Sequence, residues 1–180
     1  MSYRLVLIVA PQGAGKTSLL REWVQVMSKT SFFACAWVSL QQADNDLALF
    51  VQHLAAAFIQ IDSNLVSVLP TLSQGYNRLD APLNKAGSAN PITSNPEERL
   101  IDLLNALAES SQEIVLILDE YHHIESAEVD QALSFFINYL PTNVHVYLAS
   151  RSEPQFRLAH LRARCEMIEI GPDELSDIFE

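Results

Sequence analysis

The apolar run Leu5 to Val9 breaks directly into Ala10-Pro-Gln-Gly-Ala-Gly-Lys-Thr17, and an amphipathic segment carrying Leu19, Leu20, Trp23, Val24 and Met27 follows at once. A strand, a tight glycine-bearing turn and a helix in that order leave few architectures open. Gly13 and Gly15 supply the backbone freedom that lets main-chain N–H groups converge on an anion. A helix starting at Lys16 would turn its positive end toward the same point. Residues 10 to 17 therefore read as a phosphate-binding loop, with Pro11, Gln12, Gly13, Ala14, Gly15, Lys16, Thr17 and Ser18 as candidate nucleotide contacts. Lys16 is expected to reach the β and γ phosphates and to pack against nothing, while the Thr17 hydroxyl is offered to Mg²⁺. Ala10 stands where the pattern GxxxxGK[ST] has its first glycine, so the match is to a relaxed form.

Downstream, continuous apolar runs alternate with helical patterns, the arrangement of a sheet covered by helices. Strands are expected at Arg4 to Val9, Phe33 to Leu40, Ile114 to Asp119, Val144 to Ser150 and Met167 to Ile170. Several lack polar alternation, as strands buried on both faces do. Helices are expected over Lys16 to Ser28, Asp46 to Gln60, Pro96 to Glu109 and Ala127 to Leu140, each with apolar residues three or four apart. Asn95 before Pro96, Glu97 and Glu98 is a helix start, and Pro141 stops the helix before it. The fold class that follows is α/β: a five-stranded, mostly parallel sheet in three α/β/α layers, the core of a P-loop NTPase. Residues 61–95 interrupt the rhythm with Ser, Asn, Pro, Gly and Gln, and read either as a surface insertion, partly disordered, or as an ordered excursion with a short helix near Leu65 to Leu69. The whole of 1–180 is expected to form one domain.

Charge and cysteine content narrow the function. Twenty-two acidic against 11 basic residues give a formal net charge of −11, a surface that repels nucleic-acid backbone. Direct DNA binding is not expected, although Arg151, Arg157, Arg162 and Arg164 crowd one end and leave room for a local positive site. No apolar run is long enough to cross a bilayer, no basic segment precedes the first one, and Cys35 and Cys165 make no disulfide framework. A reducing, cytoplasmic setting is the expectation.

A second motif lies far from the first. Ile114-Val-Leu-Ile-Leu-Asp119-Glu120 is a buried strand ending in two acids, and in a doubly wound sheet strand carboxyl ends share one edge. Asp119 is expected to hold Mg²⁺ through water, and Glu120 to polarise the attacking water as general base. Ser150-Arg151 ends another buried run at that edge, so Arg151 is a candidate sensor of the γ-phosphate. Against these readings stand a solvated turn for the acids and a surface ion pair for Arg151. His122 and His123 follow the acids, but no cysteine or second carboxylate is spaced to complete a zinc site, which leaves them structural or switch roles. Trp37 reads most simply as core and Asp44 as a helix cap.

Taken in order, the loop at residues 10–17, Trp37-Val-Ser-Leu40 with Asp44-Asn45-Asp46, Leu118-Asp-Glu-Tyr-His122, Leu148-Ala-Ser-Arg151, and Leu161-Arg-Ala-Arg164 with Glu169-Ile-Gly171 resemble the nucleotide-binding domain of MalT-type regulators. These are LuxR-family members of the STAND class of signal-transduction ATPases. The resemblance implies an ATP/ADP switch, with ADP holding a resting monomer and ATP with inducer favouring self-association. It places Lys16 and Thr17 at the phosphate and Mg²⁺ positions, Asp119 at the Mg²⁺ position and Arg151 at the sensor position. Glu120 departs from the aspartate common in such members, a change that bears on rate more than on role. The family's adenine-gripping elements, sensor repeats and helix-turn-helix have no counterpart here, Gly171-Pro172 being a poor match, so an open base pocket and a transcriptional role confined to a parent protein are expected.

Three rivals remain. Asp119-Glu-Tyr-His122 also spells a DExH box, but a helicase needs a second motor domain and a basic track. A GTPase would carry a glycine two residues after the acidic strand and an Asn-Lys-x-Asp base reader. A non-catalytic module that holds nucleotide only as a structural ligand differs from a weak ATPase in one respect, the use made of Glu120.

Overall fold

The computed structural model describes residues 3–30, 33–62 and 95–179. Five strands, β1 (Leu5–Val9), β2 (Phe33–Ser39), β3 (Glu113–Asp119), β4 (Val144–Ser150) and β5 (Met167–Ile170), form one sheet in the order β2-β3-β4-β1-β5. Every pairing is parallel, so the sheet expected to be mostly parallel is wholly so. β4 lies between β1 and β3. Its last residue, Ser150, is level with Val9, while Leu118 is level with Leu148, so the carboxyl ends of the three central strands share one rim.

Successive residues of these strands point to opposite faces, and the core divides accordingly. Leu5, Leu7, Ile114, Leu116, Leu118, Val144, Val146 and Leu148 face α2 (Leu47–Ile61), α3 (Pro96–Glu109) and α4 (Ala127–Asn138). Val6, Ile8, Val115, Ile117, Tyr147 and Ala149 face α1 (Lys16–Thr30) and α6 (Pro172–Phe179), through Leu19, Leu20, Met27 and Leu175. Trp37 sits on this second face but is only half-buried, its indole N–H donating to the Ser39 hydroxyl at 3.0 Å. It packs against the core, as expected, from the cluster's edge.

Helix ends follow their local chemistry. Asn95 accepts from the Glu97 N–H and Pro96 opens α3. Asn143 donates to the carbonyls of Leu107, Ser110 and Gln112, closing the other end of the same helix. The α4 helix stops at Asn138, two residues before the expected Leu140, and Arg4 donates to the carbonyls of Asn138 and Leu140 beyond it. Asp46, not Asp44, caps α2 by accepting from the Leu49 N–H. Asp44 is buried inside a preceding 3₁₀ turn (Gln42–Asn45), where it accepts from the Gln41 N–H and pairs with His53 at 2.5 Å.

Two short helices were not anticipated: α5 (Ala159–Ala163) and α6. The polar stretch at 61–95 and its short helix near Leu65 to Leu69 lie outside the described residues except at the ends, where Ile61 and Asp62 finish α2 and Asn95 starts α3. Among the described residues, no helix is long and apolar enough to cross a membrane.

Candidate functional site

The β1–α1 loop leaves the sheet at Ala10, whose N–H donates to the Ser150 carbonyl at 3.2 Å and so ties the loop to the end of β4. Ala10 is buried in the second core layer, and its backbone lies outside the left-handed region. The glycine of the fuller motif is therefore not required at that position. Gly13 and Gly15 do need their freedom, with φ of +82° and +92°. A side chain at Gly13 would meet nothing within 4 Å, so conformation and not space selects glycine there. Pro11, Gln12 and Gly13 are exposed, Ala14 and Gly15 half-buried, and Ser18 is exposed on the first turn of α1.

Lys16 departs from expectation. Its side chain is not free: the residue is 6% exposed, and the ammonium donates to the carbonyls of Ala10 at 2.7 Å and Pro11 at 2.9 Å. The lysine folds over the loop that carries it and fastens both residues at the loop's entrance. Burial lowers its pKa, and the nearby Arg151 charge adds to this, while the Glu120 and Asp119 carboxylates oppose it. Glu120, Arg151 and Asp119 thus all lie within electrostatic reach of Lys16.

Asp119, 3% exposed at the end of β3, faces the loop directly. Its Oδ2 accepts from the Thr17 hydroxyl at 2.9 Å, and its Oδ1 accepts from the Glu120 N–H at 2.9 Å. Beyond it the chain turns sharply, with Glu120 in the left-handed region at φ 61° and ψ 33°. Such a backbone costs a non-glycine residue about 1–2 kcal/mol. It directs the carboxylate toward Arg151, whose guanidinium lies 3.6 Å from Oε2.

The 3₁₀ turn Tyr121–His123 completes the rim. Nε2 of His122 lies 3.3 Å and Nε2 of His123 lies 3.8 Å from the same Glu120 oxygen, and the two rings stack with centroids 4.3 Å apart. The His122 approach is not aligned as a hydrogen bond, and both of its ring nitrogens are buried without one. Burial, with the positive charge of Arg151, lowers its pKa. The structure brings the Glu120 carboxylate and both histidine rings together, with one ligand atom from each within 4.8 Å of the others, a grouping that the sequence reading did not single out.

Asn45 went unassigned in the sequence. Its Nδ2 donates to the His123 carbonyl at 2.8 Å, and its Oδ1 accepts from the N–H groups of Glu125 at 2.7 Å and Ser126 at 2.8 Å. One side chain from the β2–α2 connection thereby fixes the segment that follows Glu120. The signal was present in Asp44-Asn45-Asp46, but the flanking acids were the natural caps and drew the reading to themselves. Tyr121 anchors the same turn from beneath, donating to Asp130 at 2.5 Å and packing edge-on against Phe156.

The basic cluster near the chain's end is partly neutralised. Arg162 holds Glu169 through two bonds of 2.6 and 2.9 Å and Glu153 through another of 2.6 Å, so it binds its own neighbours. Arg151 of that group reaches the rim, 3.6 Å from the Glu120 carboxylate.

Comparison with known proteins bears on the family and the fold. Over 175 residues, 97% of the chain, it is 30% identical to the HTH-type transcriptional regulator MalT of two Klebsiella pneumoniae strains. It spans only 17% of the length of those relatives. Among solved structures, Cdc6p from Pyrobaculum aerophilum superposes with a TM-score of 0.58 at 14% identity, over 98% of this chain and 42% of that one. A chain of Drosophila ORC bound to AT-rich DNA and Cdc6 gives 0.53 at 16% identity, over 95% and 49% respectively. At these identities the likeness is one of fold. A family model for the AAA ATPase domain matches residues 1–149, the segment from before β1 nearly to the end of β4 that holds the loop, Asp119 and Glu120, and the chain belongs to that family.

Proposed function

We propose that this domain binds Mg²⁺–ATP on the rim between the β1–α1 loop and the ends of β3 and β4, hydrolyses it slowly, and serves as the nucleotide switch of a larger STAND-type signalling or transcriptional regulator. The observation that carries the reading is the Thr17–Asp119 bond, which brings a loop hydroxyl and a strand-end carboxylate together. Two hard oxygen donors at that spacing suit Mg²⁺, which is held by few protein oxygens and completed by water and phosphate. Thr17 and Asp119 would hold the ion, which when bound supplies charge neutralisation for the phosphates.

The protein's own groups divide the remaining work. Lys16, already partly desolvated, gains from an anion at the loop, because a phosphate restores the charge stabilisation that burial removed. Pro11 to Ser18 provide the backbone cradle. Glu120 is placed to accept a proton from water, and Arg151, beside it, to touch the terminal phosphate and register its presence. Because one arginine contacts both the base and the phosphate position, loss of that phosphate would return the guanidinium to Glu120.

The similarity to a transcriptional regulator supports a regulator as the parent, and membership of the AAA ATPase family supports ATP or ADP as ligand; self-association as the output and a cytoplasmic setting complete the proposal. No direct nucleic-acid contact is assigned to this domain, given its net charge of −11. Phosphate release by the wild type and by Glu120→Gln, with bound nucleotide identified after desalting, tests the reading. Slow turnover in the first, and turnover reduced about 100-fold or more with ATP retained in the second, is expected. Equal rates would leave a non-catalytic nucleotide module.

A further inference from the structure

We propose that Glu120, His122 and His123 form a site for a borderline divalent transition metal, Zn²⁺ above all, separate from the Thr17–Asp119 pair, and that its occupation withdraws Glu120 from catalysis. The second half rests on the role assigned to Glu120 under the proposed function; the first half does not.

Three features of the turn point to a metal. The ligand atoms of the three residues all lie within 4.8 Å of one another. A tetrahedral ion with bonds of about 2.0–2.1 Å sets its ligand atoms about 3.3–3.5 Å apart. Nε2 of His122 at 3.3 Å and Nε2 of His123 at 3.8 Å from Oε2 of Glu120 already stand close to that spacing. Second, both nitrogens of the His122 ring are buried without a hydrogen bond, a condition that native structures rarely leave unanswered and that coordination by Nε2 would relieve in part. Third, the turn is fixed from outside, because Asn45 holds the His123 carbonyl and the two N–H groups that follow. Ligands delivered from a held backbone need little reorganisation.

The donor set selects the class of ion. Two imidazoles and one carboxylate suit Zn²⁺ and its neighbours, whereas Mg²⁺ takes oxygens. Three protein ligands leave a fourth position for water or a phosphate oxygen. The Arg151 guanidinium lies 3.6 Å from the same carboxylate oxygen on a side chain that is 39% exposed, so it has solvent to move into when a cation takes its place. Glu120 bound to a metal is a weaker base, because the cation stabilises the ionised carboxylate, so it takes a proton from water far less readily.

Cobalt(II) is the probe, added to the protein without nucleotide and followed by its visible d–d absorption. One equivalent of tetrahedral Co²⁺, displaced by Zn²⁺ and free of the thiolate charge-transfer band that Cys35 or Cys165 would give, is expected. Affinity should fall at least tenfold in His122→Ala and in His123→Ala, the latter an exposed position that keeps the test open if the former does not fold. Thr17→Val should bind Co²⁺ as the wild type does. No saturable visible band, a thiolate band, or undiminished binding in His123→Ala would overturn the site. In saturating Mg²⁺–ATP, one equivalent of Zn²⁺ should slow phosphate release by the wild type and leave the rate of His123→Ala at that variant's own metal-free value. Co²⁺ binding with release insensitive to Zn²⁺ would overturn the inhibitory half alone, and Co²⁺ binding by a protein without turnover would count against the proposed function and not against the site.

Discussion

Thr17 donates a hydrogen bond of 2.9 Å to Oδ2 of Asp119 across 102 positions of sequence. The loop and the second acidic strand are thereby joined through the two groups assigned to the ion. Thr17→Val keeps the shape and removes the hydroxyl. Asp119, almost wholly buried, then loses a donor, and stability should fall by about 1–3 kcal/mol. The gain in ATP affinity brought by Mg²⁺ should shrink about tenfold, as loss of an interaction of ~1.4 kcal/mol implies. Calorimetric titrations in Mg²⁺ and in EDTA check this, and an undiminished Mg²⁺ response would remove Thr17 from the ligand set.

Lys16→Ala should do two things. Nucleotide binding should disappear, and the fold should also lose about 1–2 kcal/mol, because the ammonium fastens the carbonyls of Ala10 and Pro11. Urea unfolding of the two proteins without nucleotide measures the second effect. Equal midpoints would show that those two contacts add nothing to stability.

The effect of Asn45→Ala should be larger on turnover than on binding. Three hydrogen bonds to residues 123–126 vanish, which should cost about 1–3 kcal/mol of stability and loosen the turn that carries Glu120. Steady-state phosphate release should show kcat reduced with KM nearly unchanged. A rise in KM alone would place Asn45 in nucleotide binding.

Alkaline pH should weaken the fold through Tyr121. Burial, reinforced by the hydrogen bond to Asp130 and its charge, raises the phenol pKa well above the ordinary 10. The folded protein keeps the proton that the unfolded chain releases, so the stability is complete below pH 10 and is lost as pH rises beyond it, by about 1.4 kcal/mol per pH unit. Tyr147, raised mainly by burial, adds in the same direction. Tyr121→Phe should be less stable at neutral pH, since Asp130 loses its donor, yet show a shallower alkaline decline in chemical denaturation. A parallel decline would assign the effect elsewhere.

The sheet was legible because both its faces are covered. Runs such as Ile114 to Leu118 need no polar alternation, and the β3 and β5 runs end where an acid pair or a glycine begins. The α3 helix could be placed to the residue from Asn95-Pro-Glu-Glu. The same grammar stood at Gly171-Pro-Asp-Glu, where the Glu174 carboxylate accepts from the Gly171 N–H and α6 begins, but eight residues give periodicity little room. The α5 helix and the 3₁₀ turns are shorter still. At the rim, spacing could align Asp119 with the loop, since strand ends converge by topology. It could not show Lys16 folded onto its own loop, Asn45 reaching His123, or the histidines meeting Glu120. Those contacts depend on side-chain direction after tight turns, and one left-handed residue decides it.

That residue has an evolutionary consequence. Glycine adopts the backbone angles of Glu120 at no steric cost, so Glu120→Gly would relax the turn and recover part of the ~1–2 kcal/mol that the side chain's Cβ imposes. A lineage drifting under selection for thermal robustness alone has an open route to an acid-free turn here. If Glu120 serves as the proposed base, durability and chemistry pull the sequence in opposite directions at this position.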